Sequence, residues 1–188
     1  QTGSWFPPER EGEGAQPLDA KLERFLQAGP PPVYFGFGSM TGGDAAARTR
    51  VVLRSAERVG ARAVIATGWG ALADLSAEAD PERACFVEGA PHAALFPRVA
   101  AVVHHGGAGT TAAGLRAGRP TLVCPLVGDQ PFWGRRVAAS GAGPSPVPLA
   151  RLSEDTLVPA LASLLSEAVR QRADALGLSR MDTESALT

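Results

Sequence analysis

The sequence predicts an α/β fold, a Rossmann-like, doubly wound parallel sheet flanked by helices. Three observations predict it. Short continuous apolar runs recur along the chain, as expected of parallel strands buried on both faces. Helical patterns separate those runs, which is the signature of βαβ crossovers. Glycine-rich turns follow several of the runs, where such sheets bind ligands. The chain has 188 residues, 45% of them hydrophobic and 20% charged. That suffices for one self-contained core and is too apolar for disorder.

Residues 18–26 carry apolar positions at Leu18, Leu22, Phe25 and Leu26, one helix face, and Gly29-Pro30-Pro31-Pro32 ends the pattern. The run Val33-Tyr34-Phe35-Gly36-Phe37-Gly38-Ser39 reads as a buried strand entering a loop. Residues 45–59 form the next helix, with Asp44 as N-cap and Gly60 beyond its end. Strands follow at 63–67 and 85–87, then a short helical piece at 94–96. A fourth strand at 100–104 enters His105-Gly106-Gly107-Ala108-Gly109, and Gly118 and Pro120 stop the helix at 110–117. A fifth strand spans 121–124, and a helix at 131–140 ends at Gly141. Two last helical segments cover 157–165 and 169–176, with Pro159 near the start of the first, where proline is tolerated.

Composition excludes several function classes. A net charge of −1 leaves no strong field for nucleic acid or an anionic membrane. Two cysteines, Cys85 and Cys124, cannot build a disulfide framework or a cysteine-rich zinc site. No apolar run approaches the roughly 20 residues that cross a bilayer, and residues 1–10 lack a secretory pattern. The expectation is a soluble, cytoplasmic protein. Of the 18 basic residues only Lys21 is a lysine, a bias that resembles a GC-rich bacterial source.

The strongest local feature is Val102-Val103-His104-His105-Gly106-Gly107-Ala108-Gly109-Thr110-Thr111. A strand runs through glycines into a helix. The free amides and positive dipole end of that helix form an anion site, and glycines let a ligand approach the backbone. Thr110 and Thr111 add hydroxyls, and a diphosphate is the natural ligand. No Gly-Lys-Ser/Thr follows, so a P-loop is excluded. The dinucleotide fingerprint fails on its third glycine and on its later acidic residue. A tight turn with no ligand is the alternative. His104 and His105 are strand neighbours and point to opposite faces, one toward the ligand loop and one into the core. Neither they nor His92 show metal-ligand spacing.

Five separated motifs resemble one family. Val33-Tyr34-Phe35-Gly36-Phe37-Gly38-Ser39-Met40, Thr67-Gly68-Trp69-Gly70, Ala90-Pro91-His92, the glycine-rich turn, and Gly128-Asp129-Gln130-Pro131 occur in its order and spacing. They resemble the nucleotide-sugar signature of inverting, UDP-dependent family 1 glycosyltransferases of the two-domain GT-B type. The likeness is greatest to bacterial sterol-glucosyltransferase-like enzymes and antibiotic glycosyltransferases. It implies a C-terminal, donor-binding domain. Residues 1–26 become an interdomain linker and leading helix, 27–178 a nucleotide-sugar-binding domain, and 179–188 a divergent or disordered tail.

By this resemblance His105 and the amides of Gly107, Gly109 and Thr110 hold the donor diphosphate, faced by Gly38 and Ser39. Ala90 holds the base edge through its backbone, and Trp69 lies beside the base. Asp129 and Gln130 bind hydroxyls of the transferred sugar. Alternatives stand beside these roles: Asp129 as a helix cap, Trp69 as a core or interface residue, Ser39 as a turn hydroxyl; His92, which matches the position of a glutamine in plant members, has the alternative of capping the short helix. Two departures are visible. Gly89 stands where plant members have a stacking tryptophan, and Ala113 where they have a ribose-binding glutamate.

The implied reaction moves a hexose from a UDP- or dTDP-sugar to a hydroxyl of a lipophilic small molecule, sterol-like or a natural product, with inversion. No metal or other cofactor is expected, and the general base belongs to the N-terminal acceptor domain. This chain alone is expected to bind nucleotide without transferring sugar. Rival readings are a stand-alone nucleotide-binding module or partner subunit, and a nucleotide-sugar epimerase on the same fold.

Overall fold

A computed structural model describes residues 17–38, 43–68 and 70–185. The expected linker at 1–16, and with it Ser39 and Trp69, lies outside the described residues.

Helix α1 spans Ala20–Gln27. Asp19 caps it by accepting from the amides of Lys21 at 2.8 Å and Leu22 at 3.3 Å. Its Leu22, Phe25 and Leu26 are buried at i, i+3 and i+4 spacing. Strand β1 (Val33–Gly36) follows, then α2 (Ala45–Arg58), whose first turn Asp44 caps through the Ala47 amide at 2.9 Å. Strands β2 (Ala63–Ala66) and β3 (Ala84–Val87) come next. After them α3 (His92–Leu95) continues as a 3-10 turn at Phe96–Arg98. Strand β4 (Ala101–His104), helix α4 (Ala108–Arg116), strand β5 (Thr121–Val123) and helix α5 (Gln130–Ser140) complete the alternation. A 3-10 turn at Leu149–Arg151 leads to α6 (Glu154–Leu164) and α7 (Glu167–Ser185).

All strand pairs are parallel, in the order β3-β2-β1-β4-β5. Side chains alternate across the sheet. Val33, Phe35, Ala63, Ile65, Ala101, Val103 and Leu122 face one core with Val52 and Ala56 of α2 and Leu157, Leu161 and Leu164 of α6. Tyr34, Val64, Cys85 and Val102 face the other, with Leu22, Phe25 and Leu26 of α1 and Leu95 and Phe96. Both faces are covered, so each strand reads as an unbroken apolar run rather than an alternating one.

At the N-terminal ends of the strands, Arg62 ties three segments together. Its guanidinium donates to the carbonyls of Glu82 at 3.0 Å, Pro30 at 3.0 Å and Phe25 at 2.6 Å. It also stacks 3.8 Å from the centroid of the Phe25 ring. Arg62 is only 7% exposed, and that burial lowers its pKa.

Two expectations need correction. Helix α6 begins one turn earlier than expected because the Ser153 amide donates to Thr156 Oγ1 at 3.0 Å, half of a capping box. Pro159 is therefore inside the helix, where it deprives the Asp155 carbonyl of its donor. Both residues are exposed. Helix α7 does not end at Leu176 but runs through Ser185. No proline stands between Leu176 and Ser185 to stop it.

Candidate functional site

The order of strands reverses between β1 and β4, and that reversal opens a crevice beyond their carboxyl ends. The register pairs Gly36 with His104, so the loops leaving the two strands start side by side. One contains Gly38, with φ +62°, and the other runs His105-Gly106-Gly107 into α4.

The His105 imidazole is wedged between these loops. A Cβ on Gly38 would lie 2.8 Å from its Cε1, and one on Gly107 would lie 2.8 Å from its Nε2. Glycine at both positions is what lets the ring enter. Nε2 is the ring nitrogen nearest the start of α4. His105 is half-buried, and desolvation lowers its pKa. The Gly36 carbonyl and the Asp129 carboxylate offset part of that shift. The free domain therefore presents a neutral imidazole at pH 7.

His104 points to the other face, as the alternation of a strand requires, and is fully buried. Its Nδ1 accepts the Gly106 amide at 3.0 Å, which puts the ring proton on Nε2. Burial, then the neighbouring His105 and His92, push its pKa down to about 3. This permanently neutral ring pins the turn at Gly106, where φ is +97°.

Helix α4 begins with Gly107 in the N-cap position, without a side-chain cap and without an acidic residue in its first turn. The amides of Ala108, Gly109 and Thr110 have no intrahelical acceptor. Ala108 and Gly109 are exposed. The first intrahelical bond runs from the Thr111 amide to the Gly107 carbonyl at 2.9 Å. The Thr111 hydroxyl donates to that same carbonyl at 2.9 Å, and the residue is 2% exposed. The expectation that Thr111 offers a hydroxyl to a ligand is therefore corrected. Thr110 is half-buried beside it.

The loop after β5 brings up Asp129, close enough to His105 for their charges to interact. Asp129 occupies the N-cap position of α5 but makes no side-chain cap bond. Its Oδ2 accepts instead from Trp133 Nε1 at 2.8 Å. Gln130 is 7% exposed, and its Oε1 accepts the amides of Leu126 at 2.8 Å and Val127 at 3.1 Å. The side-chain oxygen of Gln130 thus clamps the loop, a task the sugar-binding expectation did not include. Ala90 lies in the half-buried loop before α3 and packs against the second core. His92 opens α3 without capping it. Its ring stacks on Phe96 at 4.3 Å and meets Tyr34 edge-on at 5.8 Å.

The structure thus brings Gly38, His105, Gly107, Gly109, Thr110 and Asp129 to one end of the sheet. Sequence reasoning missed the partner of Asp129, although an Asp and a Trp four positions apart on one helix could have signalled it. It also missed the task of His104, which no spacing betrays. Among the described residues no group of three His, Cys, Asp or Glu side chains could hold a metal ion, and no helix is long and apolar enough to cross a membrane.

Comparison with known proteins agrees with this architecture. The chain is 42% identical over 165 residues to sterol 3-beta-glucosyltransferase UGT80A2 of Arabidopsis thaliana, covering 88% of this chain and 26% of that protein. It is 42% identical over 187 residues to vancomycin aglycone glucosyltransferase of Amycolatopsis orientalis, covering 97% and 42%. The chain thus spans well under half the length of these relatives. They come from a plant as well as from Amycolatopsis, so the likeness does not decide a bacterial source. The crystal structure of the glycotransferase of kitacinnamycin superposes with a TM-score of 0.70 at 22% identity, covering 92% of this chain and 42% of that one. Residues 50–185 match the family described as erythromycin biosynthesis protein CIII-like, C-terminal domain. The chain belongs to that family, the C-terminal domain of family 1 glycosyltransferases of the GT-B type.

Proposed function

We propose that the chain is the donor-binding part of a glycosyltransferase. It takes the diphosphate of a UDP- or dTDP-sugar on the start of α4, and an N-terminal domain of the same enzyme presents the acceptor. Two relatives are named for a sterol and for an antibiotic aglycone. By that likeness the acceptor is a lipophilic small molecule bearing a hydroxyl. The observation that carries the reading is the uncapped N-terminus of α4 with His105 wedged beside it at the strand-order reversal.

The chemistry follows from that arrangement. The acceptor oxygen attacks the anomeric carbon while the bond to the diphosphate breaks, so negative charge grows on the leaving group. Preorganised amides of Ala108, Gly109 and Thr110 and the helix dipole lie where that charge appears. His105 Nε2 donates a further bond once its ring proton is placed there. These groups act in the part that a divalent cation plays elsewhere. Asp129 accepts hydroxyls of the hexose. In this reading the base that deprotonates the acceptor is supplied by the acceptor domain.

Calorimetry with UDP, dTDP and NAD tests the reading. UDP or dTDP is expected to bind and NAD is not. His105→Ala should weaken nucleotide binding by at least ~1 kcal/mol, the worth of a charge-assisted bond. Unchanged affinity would remove His105 from the phosphate site, and robust sugar transfer by this chain alone would overturn the division of labour.

A further inference from the structure

We propose that Trp133 is a positioning residue for the donor sugar, its indole N–H holding the Asp129 carboxylate in the orientation that receives two sugar hydroxyls. The inference rests on the donor-site reading above. A carboxylate at a helix N-cap ordinarily turns back onto the amides of the first turn. Asp129 does not: it makes no side-chain cap bond, and its Oδ2 accepts Trp133 Nε1–H at 2.8 Å. The two residues are four apart on α5, which stacks them on one face of the helix.

Indole suits this task because it is a donor only, so it never competes with the carboxylate as an acceptor for sugar hydroxyls. One such bond occupies one of the roughly four lone-pair sites of a carboxylate, and the others suffice for a vicinal diol. Phe132, itself exposed, meets the ring edge-on at 5.2 Å and 77°. Gln130 Oε1 holds the Leu126 and Val127 amides, fixing the backbone that leads into Asp129. A carboxylate fixed before the sugar arrives loses less rotamer freedom on binding.

The 188-residue chain is titrated with UDP and UDP-glucose, and with dTDP and dTDP-glucose. Within the tighter pair, the ratio of dissociation constants measures the sugar's contribution. Asp129→Asn should abolish the ratio. Trp133→Phe should lower it roughly threefold to tenfold with nucleotide affinity unchanged, as for one lost hydrogen bond. Trp133→His, which returns a ring N–H, should restore part of it. An unchanged ratio in Trp133→Phe overturns the proposal and leaves the donor-site reading standing. So does a proportional loss of affinity for nucleotide and nucleotide sugar, which would mark a merely structural role. A second readout needs no variant to bind ligand. The indole N–H resonance missing from Trp133→Phe identifies Trp133 in the labelled, unsubstituted chain. It should move further with the nucleotide sugar than with the nucleotide; equal shifts overturn the proposal. No nucleotide binding, or no difference between nucleotide and nucleotide sugar in the unsubstituted chain, overturns the donor-site reading and the proposal together.

Discussion

The two ends of the sheet are built on the same five strands and treat their polar groups in opposite ways. At the N-terminal ends, Arg62 satisfies the carbonyls of Phe25, Pro30 and Glu82 and covers an aromatic ring. At the carboxyl ends, α4 starts without a side-chain cap, and Ala108 and Gly109 of its first turn are exposed. Beside it, His105 Nδ1 is buried without a hydrogen bond of regular geometry. One end closes its hydrogen bonds within the chain. At the other, the first amides of α4 have no intrahelical acceptor. Burial alone does not separate the two, since half-buried residues occur at both. What separates them is whether each polar group already has its acceptor.

The largest effect that follows is on the closed end. Arg62→Met should lower the unfolding free energy by about 3 kcal/mol, because three carbonyls lose a charged donor and the Phe25 ring loses its cover. Denaturant unfolding measures it, and UDP affinity well below the transition should be unchanged. A loss under about 1 kcal/mol would mean that water replaces the guanidinium freely and that this end is not the closed one.

Comparable in size is the buried histidine under the open end. The folded-state pKa of His104 is about 3 against an ordinary 6.5. Below pH 6.5 the unfolded chain therefore takes up a proton that the folded chain refuses. The stability that His104 contributes is complete above pH 6.5 and is lost as pH falls toward 3. The slope approaches about 1.4 kcal/mol per pH unit. His104→Asn keeps an acceptor for the Gly106 amide and removes this titration, so its stability should fall more slowly between pH 6.5 and 4. His92 and His105 have pKa values shifted the same way and are common to both proteins, so the difference isolates His104. Parallel profiles would show that the His104 ring is hydrated in the native state.

The contrast between the ends also explains what the sequence reveals. Continuous runs such as Val33-Tyr34-Phe35 announce strands covered on both faces, so the fold is legible. His104 and His105 divide between core and loop because a strand alternates. Glycines before a helix announce the open end. The closed end is not legible, because nothing local to Arg62 says that its acceptors lie 20 to 37 residues away. Side chains with two plausible tasks are only partly legible for the same reason. A glutamine after an aspartate reads as a hydroxyl binder, and nothing local shows that Gln130 Oε1 also holds the loop amides of Leu126 and Val127. A threonine in a glycine-rich turn reads as a donor to ligand, yet the Thr111 hydroxyl turns onto Gly107. The start of α6 is missed because a Ser-Thr cap is weaker in sequence than the leucines that follow it.

The smallest effect bears most directly on the open end. Gly109 is the second residue of α4, its φ is not positive, and a Cβ there would meet nothing within 4 Å. Neither conformation nor packing requires glycine. Alanine should stabilise the helix by about 0.5 kcal/mol or more, since it has less backbone freedom to lose. A glycine where neither conformation nor packing requires one fits a position that a ligand approaches closely. Gly109→Ala should therefore raise the unfolding midpoint slightly and weaken UDP or dTDP binding about threefold or more. The same change at Gly107 would not discriminate, because its Cβ would strike His105 Nε2 with or without a ligand. If Gly109→Ala binds nucleotide as well as the unsubstituted chain, the open amides at the start of α4 do not touch the diphosphate. The two ends would then differ only in how well they are capped.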